Sequence, residues 1–169
     1  MSSQVLKVSI VGKSRTGKTY MFDRLIGREP EQDYAPTMGV EYAVKINPGT
    51  GRKISLWDVG GSERLKQIRD LYISDSEQLI VTFSLKDKTS LAHAKSILHE
   101  YRDKKTLILV GTHKSKIREG MYSVTFTEGQ TIARLYEAHY IEVGQEARDF
   151  MRLEELLLCT ETEKRCALM

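Results

Sequence analysis

The stretch Gly12 to Thr19 reads GKSRTGKT, which has the spacing G-x-x-x-x-G-K-[ST]. Each position in it has a use at a phosphate. Gly12 and Gly17 let the backbone N–H groups of the loop, with those of Ser14, Arg15 and Thr16 between them, curl round an anion. Lys18 reaches terminal phosphates, Thr19 offers a hydroxyl to Mg²⁺, and a following helix adds partial positive charge at its N-terminus. A second constellation is WDVGGSER, Trp57 to Arg64. Its Asp58 is the kind of carboxylate that orders Mg²⁺ through water. Where an attacking water would need an amide side chain, the stretch offers Ser62. The residues therefore ask whether this chain hydrolyses a nucleotide, holds one, or does neither.

These residues need a scaffold, and the hydrophobic pattern supplies one. Leu6, Val8 and Ile10 alternate with polar residues and run into the glycine-rich turn, which predicts a strand, then a loop, then a helix from about Lys18. Val40, Tyr42, Val44 and Ile46 repeat with period two, NPGTG follows as a turn, and KISLW resumes the pattern, so a β-hairpin is expected with Asp58 closing its second strand. LIVTF and TLILV are continuous apolar runs of the kind buried on both faces, and helical patterns follow both. Leu91, Ala94, Leu98 and Tyr101 line one helix face after the capping candidates Thr89 and Ser90. Thr127 and Gln130 have capping-box spacing ahead of Ile132, Leu135 and Tyr136. A short strand near HYIEV then precedes a helix striped by Phe150, Leu153 and Leu157. This alternation predicts an α/β fold with a mostly parallel sheet.

At 169 residues the chain is the size of one domain with a full hydrophobic core. Its formal charge of +3 is spread along the sequence rather than gathered into basic runs, which argues against nucleic acid as a partner. No apolar stretch reaches the roughly 18 residues of a membrane span, and MSSQ lacks signal-peptide anatomy. The body is thus expected to be cytosolic, and the two cysteines, Cys159 and Cys166, fit a reducing compartment. The last four residues, CALM, form a C-a-a-X box in which Cys166 is the expected farnesylation site. One prenyl chain anchors only marginally, and the candidates for a second signal are Lys164, Arg165 and Cys159. Ser2 excludes N-terminal myristoylation.

With these motifs in place, the chain resembles the small GTPases of the Ras superfamily from residue 4 to about 158. DYAPTMGVEY is similar to their first switch, with Tyr34-x-Pro36-Thr37 as in Ras proteins and Thr37-x-Gly39-Val40 as in Rab proteins. WDVGG is similar to the second switch of Arf proteins. The resemblance implies a P-loop NTPase small G domain over residues 1–158, its sheet six-stranded with one antiparallel strand and helices on both faces. The phosphate-binding loop would be 12–19, the switches about 30–40 and about 58–72, and 159–169 a short tail. Thr37 would complete the Mg²⁺ shell and the Gly61 N–H would meet the γ-phosphate, so that two loops tied by one phosphate form a bistable element.

Other positions depart from the family. The residue after the second-switch glycine is usually a glutamine that orients water. Ser62, about two bonds shorter, implies slow intrinsic hydrolysis unless a partner completes the site. Arg15 stands where the family has a small residue, close to the phosphates; it is expected to be exposed and directed away, the alternative being an internal arginine finger to the γ-phosphate. The base motif N-K-x-D falls on THKSK. Without a gap, Thr112, His113 and Ser115 take its places; with one inserted residue, Lys114 keeps the lysine and Lys116 takes the aspartate place. No Asp occurs between Asp103 and Asp149, the S-A-K motif becomes Gly144, Gln145 and Glu146, and Pro30 replaces the aromatic over the base. His93 and His99 read as ordinary helix residues, Trp57 as core, and Met38 and Tyr42 chiefly as hairpin packing. The expected ligands are Mg²⁺ and GTP or GDP. The expected partners are an effector at the switches, an exchange factor, a GTPase-activating protein, farnesyltransferase and a membrane at its cytosolic face. The competing reading is a pseudo-GTPase, a prenylated scaffold that does not cycle.

Overall fold

The computed structural model describes residues 5–118 and 121–159. The alternation at Leu6 builds β1 (Leu6–Gly12), and α1 (Lys18–Ile26) follows the glycine-rich loop. The hairpin is β2 (Val40–Ile46) and β3 (Lys53–Val59), antiparallel with Tyr42 opposite Trp57 and Glu41 opposite Asp58. Its turn is held by Asn47, whose Oδ1 accepts from the Gly49 and Thr50 N–H groups at 3.0 and 2.9 Å. Then come α2 (Lys66–Asp75), β4 (Gln78–Ser84), α3 (Lys88–Tyr101), β5 (Thr106–Thr112), α4 (Phe126–Leu135), β6 (His139–Glu142) and α5 (Ala147–Leu158).

The six strands lie in the order β2-β3-β1-β4-β5-β6, and β2 alone runs antiparallel. The expected α/β class, six-stranded sheet and single antiparallel strand are all present. The core has two halves, one on each face of the sheet. Met21, Phe22 and Leu25 of α1 and Phe150, Leu153 and Leu157 of α5 cover Val8, Ile10 and Ile80. Ile73 of α2, Leu91, Ala94 and Leu98 of α3 and Ala133 of α4 cover Val11, Val81, Phe83 and Leu109. Each such side chain contributes about 1.5–3 kcal/mol by leaving water. Because β1, β3, β4, β5 and β6 are parallel, the loops after β1, β3, β5 and β6 gather at one end of the sheet, where ligands of open α/β sheets bind.

Three local readings are corrected. The N-cap of α3 is Asp87, whose carboxylate accepts from the Thr89 N–H at 2.8 Å, so Thr89 and Ser90 lie inside the helix. The capping box of α4 is Thr125 with Glu128, not Thr127 with Gln130. Helix α2 begins inside the segment expected as a switch, about 58–72, and runs past its end to Asp75. Among the described residues no helix is long and apolar enough to cross a membrane.

Candidate functional site

The phosphate-binding loop leaves β1 at Gly12, whose φ of 151° is outside the range L side chains favour. A Cβ there would lie 2.6 Å from the Thr82 carbonyl oxygen of β4. Gly12→Ala is therefore expected to destabilise the fold by about 1–3 kcal/mol, read as a lower denaturant midpoint with unchanged slope. The loop is stapled from beneath. The Thr16 hydroxyl donates to the Lys13 carbonyl at 2.7 Å and meets Thr82 Oγ1 at 2.6 Å. The Thr112 hydroxyl lies 2.7 Å from the Thr16 carbonyl oxygen and 3.0 Å from that of Phe83. Thr112, met in the sequence as a degenerate base residue, thus joins the end of β5 to the loop.

Helix α1 opens with Gly17 at φ 79° and carries no acidic residue in its first turn, so its N-terminal partial charge is left for an anion. Lys18, only 6% exposed, donates to the Lys13 carbonyl at 2.8 Å. Burial depresses its pKa to about 8, Asp58 opposing and Arg69 reinforcing that shift.

Beside Lys18 lies an oxygen cluster. Thr19 Oγ1 donates to Asp58 Oδ2 at 2.6 Å and meets Thr37 Oγ1 at 2.9 Å, while Thr37 Oγ1 lies 3.4 Å from the same carboxylate oxygen. Asp58 is fully buried, and its Oδ1 has no hydrogen-bond partner among the described residues. Burial raises its pKa, against the pull of Thr19 and Lys18. Two hydroxyls and a carboxylate with an orphaned oxygen suit a hard cation that keeps most of its waters, as Mg²⁺ does. Thr19, Thr37 and Asp58 would hold such an ion, which would neutralise charge on the phosphates beside it.

The segment before β2 and the segment after β3 meet here as well. The Gly60 N–H donates to the Gly39 carbonyl at 3.0 Å. At Gly61 the backbone presses on the loop, because a Cβ there would lie 2.6 Å from Lys18 Nζ and 2.7 Å from the Ser14 nitrogen. The Ser62 hydroxyl accepts from the Arg64 N–H at 3.3 Å, capping the 3-10 turn Glu63–Leu65. Its oxygen thus serves its own backbone. Arg15, expected to be directed away, instead holds its guanidinium 5.1 Å from the centroid of the Tyr34 ring, with φ 64° at its backbone.

A cavity of about 840 Å³ joins these parts, walled by Ser14, Arg15, Gly17, Lys18 and Thr19, by Tyr34, Pro36 and Thr37, and by Gly61 and Ser62. Its other end, where the sequence predicts a base, is formed by Thr112, His113, Ser115, Lys116, Gly144 and Gln145; Lys114 is not in the wall. Gly111 pairs with Phe83 and Thr112 with Ser84, and the Ser115 hydroxyl accepts from the Gln145 N–H at 2.9 Å. The ungapped register therefore brings Ser115 against the loop after β6. His113, at φ 64°, sets Nδ1 2.9 Å from the Ser84 hydroxyl, and burial lowers its pKa. Asp149 is committed to the Gly144 N–H at 2.9 Å. The carboxylates that line the cavity, Asp23, Glu29, Glu31, Asp33 and Glu41, all come from α1 and the segment 29–41. Tyr20, Asp23 and Arg24 of α1 and Arg28 just beyond it also line the cavity; the i, i+3, i+4 spacing of the first three is the signal the sequence held.

Outside the cavity, Trp57 is half-buried rather than core, with Tyr42 and Tyr72 on either side at ring distances of 4.2 and 4.8 Å. Met38 is 93% exposed and packs nothing in the hairpin, while Tyr42 packs through Trp57. Cys166 lies outside the described residues.

A family model described as the Ras family matches residues 7–161. Among curated relatives, Ras-related protein RabC of Dictyostelium discoideum is 32% identical over 153 residues, covering 85% of this chain and 77% of that protein. Ras-related protein Rab-34 of Rattus norvegicus is 28% identical over 158 residues, covering 87% of this chain and 61% of that protein. Ras-related protein RABA6a of Arabidopsis thaliana is 28% identical over 160 residues, covering 91% and 67%. The chain thus spans about three fifths of the Rab-34 relative's length.

Proposed function

The chain belongs to the Ras family, and on that premise we propose that it is a small GTPase switch, of Rab-like character, in membrane traffic or signalling. The observation that carries this reading is the convergence of Lys18, Thr19, Thr37, Asp58 and Gly61 at one end of the cavity, with Asp58 Oδ1 unpartnered. A scaffold with no use for Mg²⁺ or a γ-phosphate has no physical need of all five. Thr37 and Gly61 come from different switch segments, so a γ-phosphate and its Mg²⁺ would tie both segments and GDP would release them.

Intrinsic hydrolysis is slow, since the Ser62 hydroxyl caps its own 3-10 turn and no amide stands in its place. Guanine preference is weak, because the base-end residues offer hydroxyls, an ammonium and an amide but no carboxylate. Effector, exchange factor and GTPase-activating protein would engage the switch segments. Farnesylation at Cys166 would hold the protein on the cytosolic face of a membrane. The same base end and the occupied Ser62 favour a second reading, a prenylated pseudo-GTPase that keeps the fold without cycling.

The test is to denature the purified protein, identify released nucleotide by chromatography, and titrate Mg²⁺ complexes of GTP, GDP, ATP and XTP onto the emptied protein. The proposal expects nucleotide binding that requires Mg²⁺, differs between tri- and diphosphate, and discriminates weakly among bases. No bound nucleotide and no Mg²⁺-dependent binding of any of the four would leave the scaffold reading standing.

A further inference from the structure

Resting on the nucleotide reading above, we propose that Arg15 and Tyr34 form a latch that closes the cavity over its ligand and sets how fast the ligand leaves. The two residues come from opposite walls, Arg15 from the phosphate-binding loop and Tyr34 from the segment that leads to Thr37. The Arg15 guanidinium lies over the Tyr34 ring at 5.1 Å from its centroid, within the range of a cation–π contact. Among the described residues no carboxylate pairs with Arg15, so the ring is the partner its charge has found. The backbone carries the same message. Arg15 holds φ 64°, a region that residues with a Cβ seldom adopt, and from that backbone its guanidinium reaches the Tyr34 ring.

The phosphate-binding loop is stapled to β4 and β5 through Thr16, Thr82 and Thr112. Tyr34 belongs to a stretch without helix or strand, residues 27–39, and is 53% exposed. The contact therefore ties a residue of an irregular segment to a loop stapled to the sheet. A ligand leaving the cavity must break it, whereas a ligand inside the cavity removes water from it and strengthens it. The latch differs from the tie at Thr37, because it needs no γ-phosphate and so acts on di- and triphosphate alike.

Release of a ribose-labelled fluorescent GDP into excess unlabelled GDP, followed by stopped flow, tests this. Arg15→Asn removes the guanidinium while keeping a residue that tolerates positive φ. The latch predicts release about threefold to tenfold faster for Arg15→Asn and for Tyr34→Ala. The double variant should be no faster than the faster single one. Tyr34→Phe, which keeps the ring, should stay within twofold of the wild type. Unchanged release in Arg15→Asn, or single effects that multiply in the double variant, would overturn the latch alone. Failure of the wild-type protein to take up labelled nucleotide at all overturns the nucleotide reading, and the latch with it.

Discussion

Lys18→Ala lowers affinity for Mg²⁺–nucleoside triphosphate by about 10²- to 10³-fold, measured by calorimetric titration of the emptied protein. Charge-assisted hydrogen bonds of about 1.5–3 kcal/mol each are lost from a site where water cannot substitute. Lys18 is buried, and its remaining partner is the Lys13 carbonyl. Its charge is thus poorly compensated until an anion arrives, which is why burial holds its pKa at about 8 against the ordinary 10.5. The sign follows directly. Between pH 8 and 10.5 the unfolded chain holds a proton on this group that the folded chain has lost, so stability rises with pH across that window. The penalty removed is on the order of 3 kcal/mol, and Lys18→Met should abolish that part of the rise. Bound phosphate acts in the opposite direction, because it returns the charge to Lys18. Nucleotide binding above pH 8 should accordingly take up a proton, and affinity should fall as pH rises further. If Lys18→Ala left affinity unchanged, phosphate would be bound elsewhere, if at all.

The phosphate half of the site was legible because its motif is a statement about backbone. Glycines at 12 and 17 on either side of a short loop after a strand leave few conformations, and Gly12 takes φ 151° and Gly17 φ 79°. Asp58 was legible for a similar reason, since period-two alternation fixed which strand it closes. What escaped depended on partners distant in the chain. Helix α2 buries Arg69 and Ile73 and leaves Ile68 and Leu71 exposed, so its apolar residues form no clean stripe. Around α4 two threonines each precede an acid or amide by three residues. The chain enters at the first, where Ser123 and Val124 donate to the Leu85 carbonyl and set the direction of approach. The aromatic contacts of Trp57 with Tyr42 and Tyr72, and the reach of Arg15 to Tyr34, cross between elements that no local pattern connects.

The same distinction separates the two ends of the cavity. Thr112 looks degenerate beside the usual asparagine, yet its hydroxyl fastens the phosphate-binding loop from β5. A staple needs one donor at the right height, and a threonine provides it. Recognition of a base edge is more demanding. Two N–H groups of guanine need two acceptors on one side chain, and a hydroxyl already accepting from Gln145 cannot supply them.

Ser115→Asp should therefore create guanine selectivity, raising the GTP-over-ATP affinity ratio by about 10²- to 10⁴-fold in competition titrations. A carboxylate at this position has about four lone-pair sites, enough for one oxygen to keep the Gln145 N–H while both oxygens accept from the base. Lys116, in the same wall, offsets the added charge. Gly144 packs close, since a Cβ there would collide with the Ser115 hydroxyl, so the longer side chain must turn aside from Gly144 itself. ITP divides the effect, because hypoxanthine keeps the ring N–H and lacks the exocyclic amine; it should recover about half of the gain on a logarithmic scale. Affinity for ATP should change little, since its phosphates meet Lys18 and the loop as before. A folded Ser115→Asp protein with an unchanged GTP-over-ATP ratio would mean that the base does not enter between Ser115 and Gln145, and the base end assigned to this cavity would be wrong.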